Sequence, residues 1–231
     1  MKTSVSISQV ACPPGVQVGA FFDMDNTLIP GVAVEVRFFR YLWHRGVIGL
    51  REARDSVRHL LRCMPPVSLQ ALRERKLYLA GKRVADIEPL AEEFVHETIQ
   101  RDLSGEGLAA LRRHREAGHR LVLVTGSLEF LVAPLAKHLG VDFVLAGKPE
   151  HQDGIYTGHL MPPYPYGEGK RILVESFAQI HSLDLRQSFA YGDSPGDVEA
   201  LRLVGYPVVV NPIRGMARIA KRHGWRVEKW A

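Results

Sequence analysis

Cysteine is nearly missing from these 231 residues: Cys12 and Cys63 are the only two. Two thiols exclude a disulfide framework and a cysteine-rich zinc cluster, so an apolar core must hold the chain together. With 46% hydrophobic residues over this length, such a core needs no covalent staples. Long apolar runs are missing too, and nothing approaches the ~20 residues of a membrane-spanning helix. Internal repeats and low-complexity tracts are absent. The ten histidines form no i, i+4 pair with an acidic partner, so a zinc site is not expected. Between Thr3 and Val10 polar and apolar residues alternate, without the continuous apolar stretch of a secretory signal. Residues 1–17 therefore read as a loose tail, and the protein as cytoplasmic.

Acidic residues are in short supply, 25 against 30 basic ones, for a net charge of +5. The shortage is local. Residues 31–83 hold 12 basic and 4 acidic groups, residues 84–102 hold 1 and 6, and residues 202–231 hold 7 and 1. A basic surplus suits nucleic acid, a membrane surface or a small anion, and total charge does not choose among them. In the first patch, Arg37, Arg40 and Arg45 would be placed to steer an anionic substrate.

The organisation is read from periodicity. Val18 to Phe22 is a short apolar run, a buried strand, closed by the turn signal Pro30-Gly31. From Val32 to about Asp102 the pattern is helical only. Val32, Val36, Phe39, Trp43 and Val47 fall on one helical face, and Ser68 to Leu79 and Ile87 to Ile99 read as further helices. Phe38, Phe39, Tyr41 and Trp43 are expected to pack this helical unit internally. After Ser104, strands and helices alternate: strands at Leu121–Val124, Phe143–Leu145, Ser188–Tyr191 and Pro207–Val210, with a hairpin turn at Asp153-Gly154. The fold class is therefore α/β, a Rossmann-like, mostly parallel sheet with an all-helical cap inserted after the first strand. The catalytic core would comprise residues 18–30 and 104–231, and the cap residues 31–103.

In parallel sheets the chemistry lies at the carboxyl ends of the strands. The first strand delivers Asp23-Met24-Asp25-Asn26-Thr27, two carboxylates that are costly beside a buried strand unless a cation or phosphate chemistry uses them. The next delivers Thr125-Gly126-Ser127 at the mouth of a helix, a place that favours anions. Another gives Gly192-Asp193-Ser194-Pro195-Gly196-Asp197, and between them Lys170 opens a helix. Ser194 to Asp197 also fits a capping box with proline at the first helical position.

This order of motifs resembles the haloacid dehalogenase (HAD) superfamily. Asp23-x-Asp25-x-Thr27, Thr125, Lys170 and Gly192 to Asp197 are similar to its four motifs, and the helical insertion is similar to the caps of subfamily IB, the phosphoserine phosphatase-like group. Asp153-Gly154-x-Tyr156-Thr157-Gly158 and Val210-Asn211-Pro212 resemble the unspecialised IB hydrolases. The resemblance implies a Mg²⁺-dependent phosphatase of a small phosphorylated metabolite. Asp23 would be the nucleophile and Asp25 the acid and base. Asp23, Asp193 and the backbone carbonyl of Asp25 would bind the metal, with Asp197 supporting them from behind. Thr125, Gly126 and Lys170 would hold the phosphoryl group.

Two departures count against phosphoserine as the substrate. Val32 stands where those enzymes place a glutamate, with Glu35 as a displaced substitute, and Gly196 stands where they carry asparagine. The alternatives are a phosphatase of phospholipid head groups or lysophospholipids, and a non-catalytic basic nucleic-acid-binding or interaction protein on the same fold. A nucleic-acid partner is not expected from the motifs.

Overall fold

The computed structural model describes residues 17–50, 54 and 74–230. The expected tail, apart from Gln17, and most of the Ser68–Leu79 helix lie outside the described residues. Within that helix's span, Leu77–Leu79 form a single 3₁₀ turn and not an α-helix.

Alternation builds the sheet. Gly-Ala-Phe-Phe forms β1 (Gly19–Phe22), buried on both faces. Ala20 and Phe22 enter one apolar cluster with Leu121 and Leu123, while Phe21 enters the other with Val122 and Val124. That period of two is what a strand covered on both sides requires. β1 pairs in parallel with β2 (Arg120–Leu128) on one side and β5 (Phe189–Gly192) on the other. β3 (Phe143–Gln152), β4 (Ile155–Met161), β6 (Tyr206–Val210) and β7 (Arg226–Glu228) complete seven strands in the order β4-β3-β2-β1-β5-β6-β7. Among these seven strands the β3–β4 hairpin is the antiparallel pair, turning at Asp153 and Gly154, both at positive φ. The sheet is thus mostly parallel, as expected. β2 and β3 run further than their apolar stretches, and β7 has no apolar signal at all.

Among the described residues, the α-helices are α1 (Val34–His44), α2 (Val84–Phe94), α3 (Gly105–Glu116), α4 (Glu129–Leu139), α5 (Glu168–Ile180), α6 (Val198–Leu203) and α7 (Met216–His223). A π-helical turn, Val95–Ile99, continues α2. The apolar face expected for α1 is displaced. Val34, Phe38 and Leu42 are buried, whereas Val32, Val36 and Trp43 are 49%, 46% and 38% exposed. Phe38 packs against Phe94 and Phe130. Phe39 meets Tyr78 edge-on. The charge patches also resolve in part: Arg37 pairs with Asp102, and Arg45 with Glu93 at 2.5 Å. Two cations of the 31–83 patch therefore answer the acidic stretch that follows it.

Behind β1 lies a buried polar relay. His114 sets Nδ1 against Nδ1 of His119 at 2.8 Å and Nε2 against the Tyr191 hydroxyl at 2.8 Å. Tyr191 stacks on Phe22 at 4.5 Å, which seats the strand that ends in Asp23.

Candidate active site

Neighbouring strands β2, β1 and β5 release their chains side by side at their carboxyl ends. Asp23 follows β1 directly, and its N–H donates to the Tyr191 carbonyl at 2.9 Å, extending the ladder by one bond. The chain then folds on itself, with Leu28 and Ile29 N–H both donating to the Met24 carbonyl at 3.0 Å. That tight loop sends Asp23 and Asp25 in different directions.

Asp23 faces a charged cluster. Lys170, in the first turn of α5, places Nζ 2.6 Å from Asp23 Oδ1 and 2.5 Å from Asp197 Oδ1. All three side chains are buried. Asp197 Oδ2 accepts from Asp193 N (3.2 Å), Ser194 N (3.0 Å) and Ser194 Oγ (2.8 Å). Capping and site support are therefore both built from this one carboxylate. Asp193 Oδ2 accepts from the Asn26 side-chain amide at 3.0 Å. Carboxylate oxygens of Asp23, Asp193 and Asp197 lie within 4.8 Å of one another.

Burial pushes Asp23 well above its ordinary range; Lys170 opposes this, and the neighbouring carboxylates Asp197 and Asp25 add to it. Burial also pushes Asp193 up to about 6. On Lys170, burial works to pull the ammonium down, but Asp197 and Asp23 outweigh it and hold it above its usual value. When ionised, three buried carboxylates against one ammonium leave two negative charges in excess. Hard oxygen donors with that surplus fit a divalent cation such as Mg²⁺. Asp197 has both oxygens engaged, so the free donor capacity lies on Asp23 and Asp193.

Asp25 points away from this cluster. Its Oδ1 accepts from the Val34 N–H at 2.7 Å, and its Oδ2 from Ser127 Oγ at 2.8 Å. Ala33 makes no side-chain cap for α1, so Asp25 serves as that cap from the loop after β1. Burial raises its pKa, against the two hydrogen bonds that favour the charged form. Any share Asp25 takes in metal binding falls to its backbone carbonyl.

Thr125 is fully buried and its Oγ1 accepts from Ser127 N at 3.1 Å. Gly126 and Ser127 border a cavity of about 420 Å³, with Asp25, Ala33, Val36 and Phe39 around it. The exposed Val36 and the partly buried Phe39 of α1 thus line this cavity. Glu35 and Tyr78 also line it. Glu35 is engaged, by Lys76 Nζ at 2.6 Å and the Tyr78 hydroxyl at 3.2 Å.

Gly196, the departure in the fourth motif, has a steric cause. A Cβ there would lie 2.3 Å from the Tyr166 ring, which covers the loop. Ser127 and Asn26 were not singled out in the sequence. The signal for Ser127 was its distance of two from Thr125, which in a strand puts both hydroxyls on one face. Asn26 offered none beyond its place between known motif positions.

Comparison with known proteins agrees with this geometry. The family model of the haloacid dehalogenase-like hydrolases matches residues 20–202. Phosphoserine phosphatase SerB1 of Mycobacterium tuberculosis is 33% identical over 93% of this chain and 71% of its own. Histidinol-phosphatase of Neisseria meningitidis is 28% identical over 90% of this chain and 96% of its own. Among solved structures, a Bordetella pertussis protein of unknown function superposes with TM-score 0.79 at 30% identity, covering 92% of this chain and 98% of that one. A phosphoserine phosphatase carrying a phospho-aspartyl intermediate analogue superposes with TM-score 0.61 at 18% identity, covering 92% of each chain, which shows the shared fold. The chain belongs to the haloacid dehalogenase-like hydrolases. Within them it is a phosphoric monoester hydrolase.

Proposed function

We propose that the chain is a Mg²⁺-dependent phosphatase of subfamily IB type, hydrolysing the phosphate monoester of a small metabolite through an aspartyl-phosphate on Asp23. The observation that carries this reading is the division of labour between Asp23 and Asp25. One lies in a charged, cation-fitting cluster, and the other faces a cavity sized for a small leaving group.

Asp23 attacks phosphorus as the bond to the leaving oxygen breaks, which divides one hard displacement into two. Asp25 supplies the proton for the departing alkoxide. Val34 N–H can only donate, so Oδ1 must accept, and the transferable proton sits on Oδ2 beside Ser127. In the second half, the same Oδ2 takes a proton from the water that releases phosphate from Asp23. Thr125, Gly126 and Lys170 hold the phosphoryl oxygens, and Lys170 also keeps Asp23 oriented. Asp23, Asp193 and the Asp25 carbonyl would hold Mg²⁺, with Asp197 behind them. When bound, the metal supplies positive charge that offsets repulsion between the carboxylate nucleophile and the phosphate.

In this reading residues 31–103 form the cap over the cavity. Phosphoserine is disfavoured as substrate, because Val32 is half exposed and Glu35 is already paired with Lys76. The test is hydrolysis of p-nitrophenyl phosphate with Mg²⁺, expected to vanish with EDTA and with Asp23→Asn. A wild-type protein inactive on this ester and across a phosphorylated-metabolite library would overturn the reading. A clear preference within that library would name the substrate.

A further inference from the structure

Beside Asp193, chain segments far apart in sequence meet through side-chain amides, and the mechanism above assigns them nothing. Asn26 adopts a left-handed backbone, φ 57°, as does Asn211 with φ 42°. The two asparagines are reciprocal. Asn26 Nδ2 donates to the Asn211 carbonyl at 3.0 Å, and Asn211 Nδ2 donates to the Asn26 carbonyl at 2.9 Å. The second N–H of Asn26 goes to Asp193 Oδ2 at 3.0 Å. The second N–H of Asn211 goes to the Trp230 carbonyl at 3.0 Å, while Trp230 N–H returns to Asn211 Oδ1 at 2.9 Å. Trp230 is itself fixed, 2% exposed, with its ring 5.3 Å from Tyr191.

An amide has two N–H groups and a carbonyl, and Asn211 spends all three on fixed backbone. Asn26 spends both of its N–H groups, so it cannot turn without losing Asn211. Asp193 can rotate about its side-chain bonds; Ser194 also bonds its carboxylate, and Asn26 holds Oδ2 back. The other oxygen is thereby left for the cluster that faces Asp23.

We infer that Asn211, clasped by the backbone of Trp230, is a positioning residue for the cation site, acting through Asn26 on Asp193. The inference rests on the metal-dependent reading above. Partners one step removed from a metal ligand commonly change affinity 10- to 100-fold when removed. Val210-Asn211-Pro212, a run with no chemistry of its own, thereby acquires a role.

The test is Mn²⁺ binding to the full chain without substrate, followed by the paramagnetic signal of free Mn²⁺. Asn211→Gly and Asn26→Gly keep the positive φ at each position while deleting the amide. Affinity is expected to fall about tenfold or more in Asn211→Gly, and at least as far in Asn26→Gly. Because the two act in series, the double variant should bind no more weakly than Asn26→Gly alone. The metal concentration that half-activates hydrolysis should rise in parallel, with KM for p-nitrophenyl phosphate moving less. If Asn211→Gly does not fold, Asn211→Asp carries the same expectation. It keeps the shape and gives up both donors, and its added charge alone would strengthen cation binding. A wild-type chain that binds no Mn²⁺ overturns the metal-dependent reading itself. Wild-type binding that a folded Asn211 variant reproduces overturns the role of Asn211 alone. Additive losses in the double variant overturn its action through Asn26.

Discussion

Replacing Lys170 with methionine keeps the length of the side chain and deletes its charge. In the native cluster one ammonium sits 2.6 Å from Asp23 and 2.5 Å from Asp197, with side-chain exposures of 4%, 10% and 5%. Removing one partner from a buried ion pair costs about 3–5 kcal/mol, because the remaining charge is left uncompensated. Here two carboxylates lose their partner at once, with Asp193 in the same group. Protonation limits the damage, since burial already raises Asp23 and Asp193. The variant should therefore lose about 3–5 kcal/mol in EDTA at pH 8 and less at pH 6, where a proton can take the place of the ammonium. Mg²⁺ should recover part of the loss, because the cluster then has more unbalanced charge to offer it. Urea unfolding at both pH values, with EDTA and with Mg²⁺, measures all three. A variant within about 1 kcal/mol of wild type in EDTA at pH 8 would refute the charge balance argued for the site.

Ser127→Ala should slow hydrolysis of alkyl phosphates about 10- to 100-fold, one hydrogen bond to a charged group. Its kcat/KM on p-nitrophenyl phosphate, which reports the first step alone, should barely change, because the phenolate leaves without a proton; equal losses of kcat/KM on both esters would remove Ser127 from protonation of the leaving group. His114 predicts a pH dependence of stability. Burial first, then His119 and Arg113, lower its pKa from 6.5 to about 3, so the folded form stays neutral while the unfolded form protonates. Stability from this group is complete above pH 6.5 and is lost as pH falls toward 3, about 2 kcal/mol of it between pH 7 and pH 5. Denaturant titrations should show that fall in wild type and a correspondingly smaller one in His114→Phe; equal slopes would be fatal to the assignment. Gly196→Ala should cost about 1–3 kcal/mol by overpacking against Tyr166. Tyr166→Ala should recover most of it, and a loss unchanged in the double variant would show that the ring is not the obstacle.

The sheet was legible because its central strands are buried on both faces, and continuous apolar runs such as Gly19–Phe22 and Leu121–Val124 report that directly. β7 was not, because Arg-Val-Glu at an edge carries no such run, and its pairing with β6 is a matter of backbone. The gathering of Asp23, Asp25, Thr125, Lys170, Asp193 and Asp197 was legible residue by residue, since these are types whose burial needs a reason. Their partners were harder to see. Ser127, Asn26 and Asn211 are ordinary loop and strand-end residues until the third dimension gives them neighbours. The face of α1 was misread for a related reason. Val36 and Phe39 keep the apolar period but line a cavity, and hydrophobic spacing does not distinguish a wall around empty space from a packed core.

Asp25 closes the first turn of α1 in place of a residue of the helix itself. In the mechanism proposed above, the proton donor and the roof over the reacting group are thus fastened by one side chain. Truncating it to alanine would deprive the substrate of its acid and also release the opening turn of α1, so the lost rate would mix two injuries. Asparagine can still accept the Val34 N–H and separates them. The shared bond also runs in the other direction. Whatever draws α1 off the cavity takes a hydrogen bond from the acid, so the site is chemically complete only while its roof is in place.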